Sequence, residues 1–408
     1  MAAERLETRA SSSRDRRARA LFVNAGILGM QTFSKYIREA MALDPYIDAR
    51  HINLTEQMTP SERLVRRVLC ARVWPDGFMG ARNLDFARFR QEYHAGLQAA
   101  RRIRRLIRTE PIDVVHFHRQ ATAYASLGLM RRVPSVISID ATQDLVIDHA
   151  ASKLERWTYT PNAALDGDIF RAAFAIISTS TWAAERLRRR YPDCETPIHV
   201  MSSPVRLRYF DERWIAERFT RTAAGWKPRV LFVGGDFVRK GGEELLAVWK
   251  SAELGRVATL DLVTDWPVNV SGLEGVRVVR DVASYSSEWS ELWRTADVFV
   301  MPTRTEAFGN VYLEAAAAGL PIVATNVDAV PEQVSHQKSG ILVAPRDAQA
   351  LADALRAFIA SPELRRAYGM AGRASALRMS DPEEYRRKLR NLLRAAARTP
   401  RPAGIAAA

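Results

Sequence analysis

The sequence predicts an α/β protein of parallel sheets in two strand–helix halves of similar size, and three observations predict it. Short apolar runs recur along the chain at 20–25, 49–54, 112–118, 135–140 and 174–178, and again at 229–235, 258–263, 276–279, 297–301, 322–324 and 340–345. Such runs, with little polar alternation, suit strands buried on both faces of a parallel sheet. Segments of helical periodicity separate many of them, as crossover connections between parallel strands require. Several runs end in glycine or proline just before a helix, where a doubly wound sheet opens its ligand crevice.

Composition bounds the rest. The 408 residues, 47% hydrophobic and 26% charged, allow two or three domains of ordinary soluble character. Cys70 and Cys194 supply neither a disulfide framework nor a metal cluster, which suits a reducing cytoplasm. No apolar run reaches the length of a membrane span. Residues 1–19 are polar and arginine-rich without an apolar core, so they read as a disordered basic tail and not as a secretion signal. The net charge of +14 favours an anionic partner, or reflects arginine used throughout the chain.

The chain is organised around 296–334. An apolar run closed by Pro302 is followed by a polar loop at 303–309, an alanine-rich helix at 310–318 ended by Gly319 and Pro321, and a second run at 322–324. Gly309 at the helix mouth lets a ligand approach the backbone, and the first helical N–H groups form an anion site that fits a diphosphate. Glu306 in the loop and Glu314 on the helix border the same pocket, where carboxylates accept hydrogen bonds from hydroxyl groups. These features call for a nucleotide joined to a hydroxyl-rich group.

The stretch from Glu306 through Phe308, Gly309 and Asn310 to Glu314 resembles the E-x7-E motif of the retaining GT-B glycosyltransferases of family 4, and Gly319-Leu-Pro and Val330-Pro-Glu continue the likeness. The resemblance implies two Rossmann-like, doubly wound domains facing a cleft, with an acceptor domain at 20–205 and a donor domain at 206–380. A helix at 381–398 would cross back to the first domain, and a disordered tail would follow at 399–408. By the resemblance Glu306 contacts donor-sugar hydroxyls, Glu314 contacts the ribose, and the backbone from Phe308 through Gly309 and Asn310 to Val311 contacts the diphosphate.

In the first half, the run at 20–25 leads into Gly26 and Gly29 before a helical pattern at 31–43, and Gly29 is similar to the family's first-loop glycine near the donor phosphate. Basic helical patterns at 63–74, ending in Trp74, and at 97–108 fit either an anionic membrane surface or a solvated basic face. The run at 112–118 ends in His116 and His118 on one face, resembling the family's DVVHxH strand. His116 reads as structural and His118 as an acceptor-side residue; with no further ligands nearby, no metal site is expected. Relatives carry a histidine after the next strand; here Asp140 stands there, either meeting the sugar and acceptor or capping the segment after Thr142. Trp157 and Tyr159 form an aromatic patch that packs or else stacks against an acceptor, with packing the reading preferred, and Ser180 reads as a helix cap.

In the second half, the run at 229–235 ends in Gly234 and Gly235, which clear space for phosphate, and Arg239 and Lys240 follow to neutralise it. The family places an arginine where Gly235 stands, so Arg239 is the substitute, while Lys240 matches the family lysine. Val282 or Tyr285 would lie beside the base. The resemblance then implies transfer of a sugar, with retention, from a nucleotide diphosphate-sugar to a glycan or lipid-linked acceptor, with Glu306, Lys240, Arg239 and Asp140 at the reacting centre. No cofactor or metal and no nucleic acid are expected. The location implied is cytoplasmic, peripheral on the inner face of the membrane. A GT-B nucleotide-sugar epimerase and a non-catalytic nucleotide- or nucleic-acid-binding protein are the alternatives.

Overall fold

The computed structural model describes residues 16–25, 28–56, 58–71, 84–150, 152–218 and 226–399, and of 28–31 only the backbone. It divides into two compact units, Met1–Met201 with Glu383–Ala408, and Ser202–Pro382.

The first unit holds six parallel strands: β1 (Ala18–Asn24), β2 (Ile47–Asn53), β3 (Val114–Phe117), β4 (Ser135–Ile139), β5 (Ala175–Ser178) and β6 (Ile198–Val200). Their order is β2-β1-β3-β4-β5-β6, so the winding reverses between β1 and β3. Alternate side chains serve opposite faces. Leu21, Val23, Val115 and Ile137 enter one core, and Ala20, Phe22, Val114 and Val136 enter the other. The principal helices are α1 (Leu28–Ala42), α2 (Pro60–Leu69), α3 (Ala87–Ile107), α4 (Thr160–Ala172) and α5 (Thr181–Arg190). Ser180 caps α5 by accepting from the Ala183 N–H at 3.1 Å.

The second unit has β7 (Arg229–Val233), β8 (Thr259–Val263), β9 (Val276–Val279), β10 (Val298–Met301), β11 (Ile322–Thr325) and β12 (Gly340–Val343). All pairings are parallel, in the order β12-β11-β10-β7-β8-β9, with the reversal between β7 and β10. Helices α6 (Gly242–Ser251), α7 (Ser287–Thr295), α8 (Asn310–Ala317), α9 (Ala348–Ala360) and α10 (Pro362–Met379) cover the sheet. The alanines of α8 permit close packing, and a Cβ on Gly369 of α10 would meet the Gly319 carbonyl oxygen at 2.2 Å.

Helix α11 (Pro382–Arg398) belongs to the first unit. Tyr385, Leu389 and Leu393 recur every four residues and enter the same core as Phe22 and Ile37. Arg386 and Arg390 lie 3.9 and 3.5 Å from Asp44, whose side chain is fully buried.

Three expectations need correction. Order begins before residue 20: β1 starts at Ala18, Arg17 donates to the Ile47 carbonyl at 2.7 Å, and Arg19 pairs with Asp113 at 2.7 Å. Those two arginines have specific partners, so composition alone misjudged them. Gly29 lies in the first turn of α1, not in the loop before it. The segment after Thr142 forms a helix, Asp144–Asp148, whose N-cap residue is Gln143, so Asp140 does not cap it. Residues 1–15, Gly26, Trp74 and 400–408 lie outside the described residues.

Candidate active site

The second sheet reverses between β7 and β10, and in such folds ligands bind beyond the carboxyl ends of the strands at that point. The loop after β7 carries Gly234, Gly235, Arg239 and Lys240, and the loop after β10 carries Glu306. The two loops are joined by charge. Lys240 Nζ pairs with Glu306 Oε2, and Arg239 Nη1 lies 3.5 Å from the same oxygen. Arg239 also donates to the Thr305 carbonyl at 2.8 Å and to Asp236 at 3.0 Å. Glu306 is 8% exposed, so two cations beside it supply the compensation a buried carboxylate needs.

Backbone geometry fixes this arrangement. Gly241 has φ +78°, and a Cβ there would sit 2.0 Å from the Pro302 carbonyl oxygen. The β7 loop can approach β10 only because this residue is glycine. Gly235 differs: a Cβ on it would meet nothing within 4 Å, so the protein's own packing does not require glycine there. Asp328, at φ +48°, accepts from the Glu306 N–H at 2.9 Å and from the Thr305 hydroxyl at 2.6 Å.

Helix α8 starts with Gly309 as its N-cap residue. The Gln333 side chain bridges that glycine, accepting from its N–H at 3.2 Å and donating to its carbonyl at 3.0 Å. Of the expected phosphate contacts, the Gly309 N–H is thus already engaged, and the following amides of Asn310 and Val311 form the helix mouth. Phe308 is half-buried against the core. The Tyr312 hydroxyl donates to the Met301 carbonyl at 2.9 Å, tying α8 to β10. At the other end, Arg218 and Arg373 donate to the carbonyls of Ala318 and Ala317. Cations at the C-terminus complement the helix dipole, leaving its positive end at the mouth.

Glu314 is half-buried one turn into α8 and accepts from the Tyr285 hydroxyl at 3.1 Å. Burial pushes its carboxyl up to about 7, against the opposing effect of that hydrogen bond. Tyr285, at φ +65°, packs against Tyr209 and Trp289, and the Arg206 guanidinium lies 5.1 Å over its ring.

In the first unit, His116 bonds to the Ser138 hydroxyl at 2.8 Å, and burial with His118 and His51 nearby lowers it to about 3. His118 is 7% exposed and stacks on Phe33 at 4.5 Å; burial and Arg119 lower it to about 4. Asp140 is half-buried. Burial would lower the Arg119 pKa, but Glu92 and Asp140 outweigh it and hold that pKa above the ordinary value. Tyr159 is buried, bonded to Glu155 at 3.2 Å, whereas Trp157 is 56% exposed and touches Phe86 edge-on, so only Tyr159 is the packing residue expected.

Sequence reasoning missed Asp328 and Gln333. Gln333 falls just after the Val330-Pro-Glu stretch, whose family likeness was the available signal. Asp328 offered none, since its role depends on a left-handed backbone.

Residues 227–361 match the family described as "Glycosyl transferases group 1", and residues 66–209 match "Glycosyltransferase Family 4". The chain belongs to the family 4 glycosyltransferases. It is 27% identical over 66% of its length to a glycogen synthase of Mycobacterium tuberculosis, spanning 66% of that protein. It is 36% identical over 37% of its length to a D-inositol 3-phosphate glycosyltransferase of Segniliparus rotundus, spanning 30% of it. The sulfoquinovosyl transferase SQD2 of Arabidopsis thaliana is 25% identical over 86% of the chain and 72% of that protein. Among solved structures, a sucrose-phosphate synthase of Thermosynechococcus elongatus superposes with a TM-score of 0.70 at 20% identity, covering 93% of this chain and 99% of that one. The glycosyltransferase WaaG gives 0.61 at 17% identity, covering 92% and 99%. The fold of this glycosyltransferase is accordingly GT-B.

Proposed function

We propose that the chain transfers a sugar, with retention, from a nucleotide diphosphate-sugar to a hydroxyl of a glycan or lipid-linked acceptor in cell-surface polysaccharide or glycolipid synthesis. The observation that carries this reading is the Lys240–Glu306–Arg239 cluster at the reversal of the second sheet, beside the mouth of α8. A diphosphate placed there meets two cations and the helix amides. Negative charge accumulates on it as the glycosidic bond loosens, and those fixed groups stabilise it without reorganising. Glu306, paired with Lys240 and Arg239, accepts from the sugar hydroxyls, and Glu314 accepts from the ribose. Asp140 and His118 are the acceptor-side residues of this reading. No metal is part of it. The names of relatives agree with a nucleotide-sugar donor: a GDP-mannose-dependent mannosyltransferase of Mycobacterium tuberculosis is 42% identical over 85 residues, 22% of its length.

The reading also places the enzyme in the cytoplasm, on the inner face of the membrane. No described helix is long and apolar enough to cross a bilayer. Helix α2 nevertheless exposes Leu64, Val65, Val68 and Leu69, by 44–66%, and carries Arg63 and Arg67 beside them. That combination suits an anionic lipid surface.

A thermal-shift panel of UDP-, GDP- and ADP-sugars, followed by incubation with acceptor glycans and lipids, tests the proposal. One donor should raise the melting temperature, and NMR of the product should show the donor's anomeric configuration retained. Inversion would refute retention, and donor conversion without any acceptor would refute transfer.

A further inference from the structure

The loop after β7 matches its cations with carboxylates before any ligand arrives. Lys240 pairs with Glu306, and Arg239 is shared between Glu306 and Asp236. Asp236 takes two donors from Arg239: its Oδ2 accepts from the side-chain Nε at 3.0 Å and its Oδ1 from the backbone N–H at 3.3 Å. Asp328 adds a third carboxylate, bonded to Thr305 and to the Glu306 N–H. Arg304, the next cation along, is held by Glu244 at 2.7 Å and Glu243 at 3.2 Å. By formal charge, then, Arg239 and Lys240 are outweighed by Asp236, Glu306 and Asp328, and a diphosphate gains a guanidinium here only by exchange with a carboxylate.

The pair placed for exchange is Arg239 with Asp236. Their side chains are 38% and 50% exposed, against 13% and 10% for Lys240 and Glu306. An exposed ion pair holds weakly, whereas stripping a buried carboxylate of its cation is costly. The Arg239 backbone is fixed meanwhile, because its carbonyl accepts from the Arg304 N–H at 2.8 Å and from the Thr303 hydroxyl at 3.1 Å. Phe237, buried against Phe232, anchors the same turn. Exchange is therefore a movement of the side chain alone. Gly235 stands beside Asp236, and the open space where its Cβ would lie leaves room for phosphate.

We propose that Asp236 sets the discrimination between the nucleotide sugar and the nucleoside diphosphate left after transfer. It holds Arg239 in the free enzyme; once Arg239 has moved to the diphosphate, the carboxylate it leaves repels the more highly charged ligand. That ligand is the product. It keeps the oxygen and the electron pair of the broken sugar–phosphate bond, and its terminal phosphate then ionises a second time at about pH 6, which adds about one negative charge. Repulsion grows with ligand charge, so Asp236 weakens the product more than the donor and favours product release. Asp236 is a positioning residue, acting through Arg239 and bonding neither ligand. This deepens the transferase reading and rests on it.

The test is calorimetric titration of the full chain in magnesium-free buffer with UDP and UDP-glucose, GDP and GDP-mannose, and ADP and ADP-glucose. The proteins are wild type, Asp236→Asn, Asp236→Glu, and Arg239→Gln with and without Asp236→Asn. In the pair that wild type binds, Asp236→Asn should tighten the nucleotide sugar about threefold and the nucleoside diphosphate about tenfold. Asp236→Glu should restore the wild-type ratio, and the shift should fade as salt rises. A loosened loop would weaken both ligands together, so the ratio separates charge from structure. In Arg239→Gln the gain from Asp236→Asn should shrink; a full gain there would show that Asp236 does not act through Arg239. An equal change for both ligands, no change, weaker binding of both, or a ratio that Asp236→Glu fails to restore would overturn the proposal. If wild type binds none of these nucleotides, the donor reading falls as well; if it binds them and the ratio does not move, only the role of Asp236 falls.

Discussion

Two carboxylates in the second unit sit in opposite electrostatic settings. Glu306 has cations beside it, whereas burial of Glu314 dominates and its carboxyl holds a proton more tightly in the fold than the ordinary value of 4.5. The stability Glu314 contributes is therefore complete below about pH 4.5 and is lost as pH rises through about 7. Glu314→Gln should flatten denaturation stability across that window by roughly 1–3 kcal/mol. Tyr285→Phe, which removes the opposing hydrogen bond, should move the titration above 7. An unchanged slope in Glu314→Gln would show the carboxyl to be ordinary. For Glu306 the contrast is between fold and chemistry. Lys240→Met should cost about 2–4 kcal/mol by stripping a buried carboxylate of its nearest cation, and Lys240→Met with Glu306→Leu should recover most of that loss. Both variants should remain at least about 100-fold down in kcat/KM.

At the scale of elements, the two glycines flanking the β7 turn make separable predictions. Gly241→Ala clashes with backbone at 2.0 Å in a left-handed conformation, so it should destabilise the second unit by more than about 2 kcal/mol in a urea titration. Gly235→Ala meets no protein atom within 4 Å and should leave stability within about 0.5 kcal/mol of wild type. If the donor phosphate approaches that backbone, the same substitution should raise the donor KM several-fold. Strands and helices of this kind were legible in the sequence because apolar runs and 3.6-residue periodicity report burial directly. Glu306, Glu314 and Lys240 were legible because they fall in a recognisable spacing. Asp328, Gln333, Tyr285 and Glu92 were less so or not at all, since each acts through a partner distant in sequence: Glu92 reaches Asn162, seventy residues on. The start of β1 was misplaced for the same reason, as the Arg19–Asp113 pair spans 94 residues.

For the whole molecule, the chain's last helix is part of the first unit's core. Tyr385, Leu389 and Leu393 are 0–5% exposed in α11, and burying three such side chains contributes roughly 5 kcal/mol or more. A chain ending at Ser380 should lose cooperative unfolding of the first unit and expose β1 and α1 to proteolysis, while the second unit keeps its nucleotide-sugar affinity. Equal loss in both units would contradict that division. The central claim is that the second unit grips a nucleotide diphosphate-sugar through Lys240, Arg239 and the mouth of α8. Calorimetric titration with UDP-, GDP- and ADP-glucose and GDP-mannose, on wild type and on Lys240→Ala, tests it most directly. The account predicts that at least one donor binds and that Lys240→Ala weakens it tenfold or more; binding of none, or equal binding by the variant, would contradict it.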